Sequence, residues 1–407
     1  MITKRRGFFM FLVCFIAAML TTGAVTRVDA ADKRVTIKLF GMGYTQLTNF
    51  PGYESRTQNA GDFLHLMAEK FMETHPNVKV EVEMLNPNAS GGGTSQLDVE
   101  IAAGNIPNIV TDNVMRLSKY YGEDLIEDLD SHLSDEYKKD FLPGLFSPGN
   151  TWRIPLGLSA HFVVVNRTAF EKAGKLNLLP SSESREWTVD QFMEAARAIN
   201  NPPEMNATML FAKNQSGDLS WMSFFWGFGA RLFKNGDYTK TTLNSPEGEA
   251  ALKFFKNILD QGLCPPSPSS LVDDDMWAYW EQNKIGVVGG YEVLKEFSDK
   301  QGFDAYFVNY PSTPGNENPP LATMGESVVV FKTDDKAQLE ASIEFAKEIS
   351  EIWGPLMQVL RGDYPVRSSQ TAKVPLGPES QAVLKLIEKN GLVDFGLSSP
   401  KYYLVRE

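Results

Sequence analysis

Beyond residue 30 the hydrophobic period of the sequence keeps switching between two and nearly four, and that alternation limits what the chain can build. Val35, Ile37 and Leu39 alternate with Thr36 and Lys38, which predicts a half-buried strand. After a glycine-rich stretch (Gly41, Gly43, Gly52), Phe63, Met67 and Phe71 recur every four residues, the spacing of a helix with one apolar face. That helix should stop at His75-Pro76, because proline disfavours helical geometry in the residue before it. Val78, Val80 and Val82 predict a second strand, Leu97 and Ile101 a helix ending at Gly104, and Ile109-Val110 a third strand. Strands and helices in strict alternation predict an α/β domain on a parallel sheet.

The pattern restarts after Trp152. Phe162 to Val165 and Met209 to Phe211 read as strands, and Thr188-Val189-Asp190-Gln191 is a capping box ahead of Phe192, Ala195, Ala196 and Ile199. Ser245-Pro246 reads as the N-cap and first position of a helix whose apolar face carries Leu252, Phe255, Ile258 and Leu259, closed by Gly262. Ile285 to Val288 is a strand feeding Gly289-Gly290. Phe307-Val308 and Val328 to Phe331 are strands flanking a Pro/Gly-rich loop, and a last pair of helices follows. The economical architecture is two α/β lobes joined by extended crossovers, in keeping with 407 residues and roughly 150 residues per domain.

The first thirty residues have another purpose. Lys4, Arg5 and Arg6 precede the apolar run Phe8 to Leu20, and a polar stretch ends in Val28-Asp29-Ala30, the pattern of a cleaved secretory signal peptide. The run is shorter than the roughly 20 residues that span a bilayer. Cleavage after Ala30 removes four cations (Lys4, Arg5, Arg6, Arg27) and one anion (Asp29), taking the net charge from −12 to −15. That sign opposes nucleic-acid binding, which needs cations against phosphate. Cleavage also removes Cys14, which follows Val13 in mid-run and is badly placed for a lipid anchor. It leaves Cys264, expected to be buried and inert. The expected compartment is the periplasm, with the mature chain free, soluble and monomeric.

Several phrases, in order along the mature chain, resemble the bacterial extracellular solute-binding proteins of the sugar-binding class, the receptors of ABC importers related to maltose-binding protein. They include Phe71-Met72-Glu73-Thr74-His75-Pro76, Ile101-Ala102-Ala103-Gly104-Asn105-Ile106-Pro107-Asn108-Ile109-Val110 and Val165-Asn166-Arg167-Thr168-Ala169-Phe170-Glu171-Lys172-Ala173-Gly174. Trp187-Thr188-Val189-Asp190-Gln191-Phe192, Asn244-Ser245-Pro246-Glu247-Gly248, Lys284 to Tyr291 and Tyr364-Pro365-Val366-Arg367 continue the series. Two departures stand out: Pro107-Asn108 where the family has Pro-Asp, and Gly289-Gly290-Tyr291 where it commonly has Gly-Pro-Trp. The resemblance implies a two-lobed periplasmic-binding-protein fold of the α/β class, each lobe a mainly parallel sheet flanked by helices, with the ligand in the cleft between them. It places the N-terminal lobe at 31–154 plus 311–355 and the C-terminal lobe at 155–310 plus 356–407. It also implies closure on a solute and docking on ABC permease subunits.

A sugar presents hydroxyl edges and an apolar face, so its receptor needs carboxylates, amides and flat rings in a cleft. In α/β sheets that cleft lies at the carboxyl ends of strands. Tyr44 follows the first strand, Asp112 and Asn113 the third, and Tyr291 the strand Ile285 to Val288, at the position where the family carries its aromatic platform. Glu326 and Ser327 precede the Val328 strand, and Ser159 and His161 lie at the first crossover. Trp221 or Trp226 is a further candidate, although Trp221, Phe224, Phe225 and Phe228 have the helical spacing of a core stripe. Arg361 lies at the last crossover, where it could reach the cleft or pair with Asp363. The run Asp273-Asp274-Asp275 suits a positive helix N-terminus better than a metal.

No G-x-S-x-G elbow and no H-E-x-x-H is present, and His65, His75, His132 and His161 lack ligand spacing. The expectation is a receptor without catalytic residues, cofactor or metal, binding a mono- or oligosaccharide. A polyol or glycerol-phosphate ester is the alternative ligand, and a secreted glycoside hydrolase the alternative activity.

Overall fold

The structure is a computed structural model and describes residues 34–42, 60–85, 92–142, 145–146, 151–214, 217–234, 237–291, 293–361, 364–371 and 376–393. The signal peptide and Tyr44 fall outside these residues. In chain order the strands are β1 (Val35–Met42), β2 (Val78–Leu85), β3 (Ile109–Asn113), β4 (Ile154–Pro155), β5 (Ser159–Asn166), β6 (Asn206–Thr208), β7 (Phe233–Lys234), β8 (Asp237–Thr241), β9 (Ile285–Gly290), β10 (Ala305–Val308), β11 (Leu321–Met324), β12 (Glu326–Val330) and β13 (Leu392–Val393).

They form two main sheets. The first runs β2-β1-β3-β12-β4, and the second β13-β11-β5-β9-β6 with β10 also on β5. In the first sheet β1 is parallel to β2 and β3, while β12 returns antiparallel to β3 and β4. In the second, β6 is parallel to β9, whereas β5 is antiparallel to β9, β10 and β11. Each sheet is therefore mixed rather than mainly parallel. The antiparallel members are those next to a crossover: β12 and β5 enter their sheets from the opposite lobe and so arrive from the opposite end.

The pairing fixes where the chain changes lobes. It passes from the first sheet to the second between Pro155 and Ser159, and returns between Met324 of β11 and Glu326 of β12, with Gly325 alone between them. The return is thus at 325 rather than 311, because β11 still pairs with β5. The segment after Tyr364 stays with the first lobe, as Leu142 N–H donates to Val366 O at 2.8 Å and Ser368 N–H to Asp140 O at 2.7 Å. Arg367 seals it there, donating to Asp140 at 2.7 Å with its guanidinium over the rings of Tyr137 and Phe141. Among the described residues after Tyr364, the helix Pro378–Asn390 and β13 join the second lobe.

Local chemistry explains most elements. Phe63, Met67 and Phe71 are buried on the helix Ala60–Thr74, as their spacing predicts. Thr188 and Gln191 make the reciprocal capping bonds that open Val189–Ile199. Ser245 caps Pro246–Asp260, but this helix is rotated from the expected phase: Gly248, Ala251, Phe254 and Ile258 face inward, leaving Leu252 60% and Leu259 46% exposed. Gly248 sets the phase, since a Cβ there would lie 1.9 Å from the Leu243 carbonyl oxygen. The strand expected at Met209 to Phe211 is instead Asn206–Thr208: pairing with β9 ends at Thr208–Val287, and the next residues turn under the helix Gly217–Gly227. Cys264 is buried, and burial pushes its thiol up to about 11, which removes the reactive thiolate. No helix among the described residues is long and apolar enough to cross a membrane.

Candidate functional site

The carboxyl end of β3 forms one wall. Asp112 is buried there, accepts the Asn113 N–H at 2.6 Å, and is gripped by Arg116 one helical turn on, with Nε at 3.0 and 2.8 Å from the two carboxylate oxygens. Asn113 caps the helix Val114–Gly122 by accepting from Met115 N–H at 3.0 Å. The register pairs Ser327 with Asp112 and Glu326 with Asn113. Directly paired residues share a face. Asp112 and Ser327 therefore point to one side of the sheet, and Asn113 and Glu326 to the other. Arg153 joins the Asp112 side, donating to Ser327 Oγ at 3.2 Å with its guanidinium over Trp152.

The second wall is aromatic. Phe162 pairs with Gly290, so His161 and Tyr291 are neighbours across the end of β5 and β9; their rings lie 5.3 Å apart, tilted by 50°. Trp277 meets Tyr291 edge-on at 5.8 Å and 80°. Trp277 belongs to the helix Asp273–Glu281, whose acidic start is a helix cap: Asp275 accepts the Val272 N–H at 2.9 Å. Tyr291 is half-buried, whereas His161 is 1% exposed. Burial pushes its imidazole down to about 3.

The two tryptophans of Gly217–Gly227 part company. Trp226 is buried in the core beside Arg231, while half-buried Trp221 lines a small apolar cavity with Met209, Phe211, Phe224 and Gly289. Sequence reasoning overlooked Trp277 beside Tyr291, whereas Met209 and Phe211 are buried core residues. The spacing of Trp277 and Trp280 was the available signal: Trp280 is buried and Trp277 is half-buried against Tyr291. Arg361 ends the helix Lys336–Arg361, and Asp363 lies outside the described residues.

The walls meet at the crossovers. Leu156 N–H donates to Glu326 O at 2.8 Å, Val114 N–H to Gly325 O at 3.1 Å, and Leu158 and Tyr364 exchange both backbone bonds. Ala322, paired with His161, is four residues of chain from Glu326, so one short stretch links the two clusters. Gly325 is required here: a Cβ would fall 2.4 Å from the Gly157 carbonyl oxygen. Gly325→Ala should force the crossovers apart and cost about 1–3 kcal/mol. Urea unfolding and X-ray scattering would report this, and an unchanged midpoint with unchanged lobe separation would refute it.

A family model described as bacterial extracellular solute-binding protein matches residues 55–348. A solute-binding protein of an ABC transporter from Thermotoga lettingae, solved with α-D-tagatose, superposes with a TM-score of 0.69 at 17% identity, covering 91% of each chain. The maltose-bound MalE3 of T. maritima gives 0.67 at 17% identity over 91% of this chain and 92% of that one. A substrate-binding protein of Listeria monocytogenes in complex with cycloalternan gives 0.66 at 18% identity over 92% and 95%. At these identities the likeness is one of fold. The chain spans about half the length of the curated relatives it matches: a Brucella abortus protein named only as a binding protein is 25% identical over 240 residues, 58% of this chain and 55% of the relative.

Proposed function

The chain belongs to the bacterial extracellular solute-binding proteins, and from that premise we propose that it captures a carbohydrate between its lobes and delivers it to an ABC import permease. What supports the reading is a pair of unlike clusters at the strand ends that adjoin the crossovers: the rings of Tyr291 and Trp277 beyond β9, and the Asp112–Arg116 pair at the end of β3. Rings cover the apolar face of a sugar, and the carboxylate and guanidinium accept from and donate to its hydroxyls. The solved neighbours with tagatose, maltose and cycloalternan bound point the same way. Closure would move the lobes about residues 155–159 and 325, with the closed form selected by a ligand that touches both. Export by the N-terminal thirty residues, a periplasmic monomer and a ligand-only role without cofactor complete the proposal.

A hydrolase reading fares worse on geometry. Asp112 is locked to Arg116, and Glu326 points to the opposite face of the sheet, so these carboxylates do not converge on one bond.

A thermal-shift screen of residues 31–407 against sugars, polyols and sugar phosphates tests the proposal. A ligand at 100 times its Kd should add about 2.7 kcal/mol, a shift of a few degrees. Tyr291→Ala should then weaken binding about 5- to 150-fold, the equivalent of about 1–3 kcal/mol of aromatic burial. A shift with a polyol or phosphate ester and none with sugars would overturn the ligand class, and consumption of the sugar would overturn the receptor reading.

A further inference from the structure

We propose that His161 is a positioning residue: its imidazole holds the Tyr291 ring as a fixed ligand platform, without itself touching the ligand. The inference rests on the receptor reading above and departs from the expectation that His161 contacts the solute.

Tyr291 is the first residue beyond β9, so the ladder that fixes Gly290 against Phe162 no longer restrains it. What flanks its ring is side chain: His161 at 5.3 Å on the β5 side and Trp277 edge-on at 5.8 Å from the helix Asp273–Glu281. His161 is 1% exposed while Tyr291 is half-buried, so a solute in the cleft reaches the tyrosine and not the histidine behind it. A flat uncharged ring suits that place. It packs against an aromatic face as an aliphatic side chain of equal volume does not, and tilted ring pairs add to plain burial.

The test is NMR of the ligand-free protein carrying 13C-ring-labelled tyrosine, with the Tyr291 signal assigned through Tyr291→Phe. His161→Phe should keep that signal near its wild-type position. His161→Leu, which fills the space without a ring, and His161→Ala should both move and broaden it. If Leu preserves the Tyr291 signal as well as Phe does, His161 is only a filler and the proposal fails. If neither Leu nor Ala moves the signal in folded protein, the ring contact has no positioning role. The Tyr291 signal in wild-type protein should also hold its position from pH 7.5 to 5, and a shift tracking protonation of His161 in that range would contradict a buried neutral ring. Because these readouts need no ligand, a failed carbohydrate screen and a failed positioning role give different results.

Discussion

At pH 4.5 this protein is expected to be about 2–3 kcal/mol less stable than at pH 7.5 on account of one side chain, and the deficit should disappear in His161→Phe. Burial lowers the His161 imidazole from 6.5 to about 3 in the folded chain. Between those values the unfolded chain holds a proton that the folded chain refuses, so stability rises with pH across the window. The contribution is whole above pH 6.5, is lost progressively as the pH falls, and is exhausted near pH 3, where the total approaches ~5 kcal/mol. Burial raises the Glu348 carboxyl above its ordinary value, so this group favours the acid side of the window and opposes part of the effect. The Asp140 carboxyl, although partly desolvated, is held below its ordinary value by hydrogen bonds from Ser369 and Arg367, so its loss belongs below pH 4. His75 and His132 lie beside Glu344 and Glu127 near the surface, where ion pairs contribute little. Urea unfolding of wild type and His161→Phe at pH 7.5, 6.5, 5.5 and 4.5 isolates the effect. Stability curves that fall in parallel would show that His161 is not the group responsible.

That histidine also shows where sequence reading stops. Its place just after the first crossover was legible, because Phe162 to Val165 announces β5 and His161 precedes it. Its burial was not, since that depends on β9 bringing Tyr291 alongside from more than a hundred residues later. Local rules did well wherever the determinant was local: the Thr188 capping box, the Ser245 cap and the helix stop at His75-Pro76. They failed where a tertiary contact sets the phase. Leu252 and Leu259 have helical spacing as good as that of Phe254 and Ile258, and only the close approach of Gly248 to Leu243 decides which pair faces inward. Trp221 and Trp226 are equally aromatic, and the packing of Gly217–Gly227 leaves one half-buried beside a small apolar cavity and sends the other to the core. The crossover at 325 was displaced for the same kind of reason. A four-residue strand at 321–324 is too short to announce which sheet it joins.

Glu379→Ala should destabilise the second lobe by about 3–5 kcal/mol, a large effect for a residue no sequence motif singles out. Arg185 lies in the turn before Trp187 with φ +52°, and its guanidinium covers the Tyr306 ring at 4.4 Å. Nη1 donates to Phe307 O at 2.9 Å, while Glu379 accepts the Phe307 N–H at 3.0 Å and binds the same guanidinium in a two-point pair. Phe307 pairs with Val164 on one edge of β10; on the other edge the two side chains take the place of a neighbouring strand. Removing Glu379 strands a guanidinium that is 9% exposed and a backbone donor together, and each loses a partner that water cannot readily replace. Glu379→Gln keeps an acceptor for Phe307 N–H and loses the charge, so it should cost less than Glu379→Ala. The clamp also explains why the helix Pro378–Asn390 belongs to the second lobe although the preceding segment is fastened to the first by Arg367 and Asp140. Thermal unfolding should place Glu379→Ala roughly 10 °C below wild type, with Glu379→Gln between them. A change of less than about 2 °C for the alanine variant would mean that the sheet edge is held without this pair.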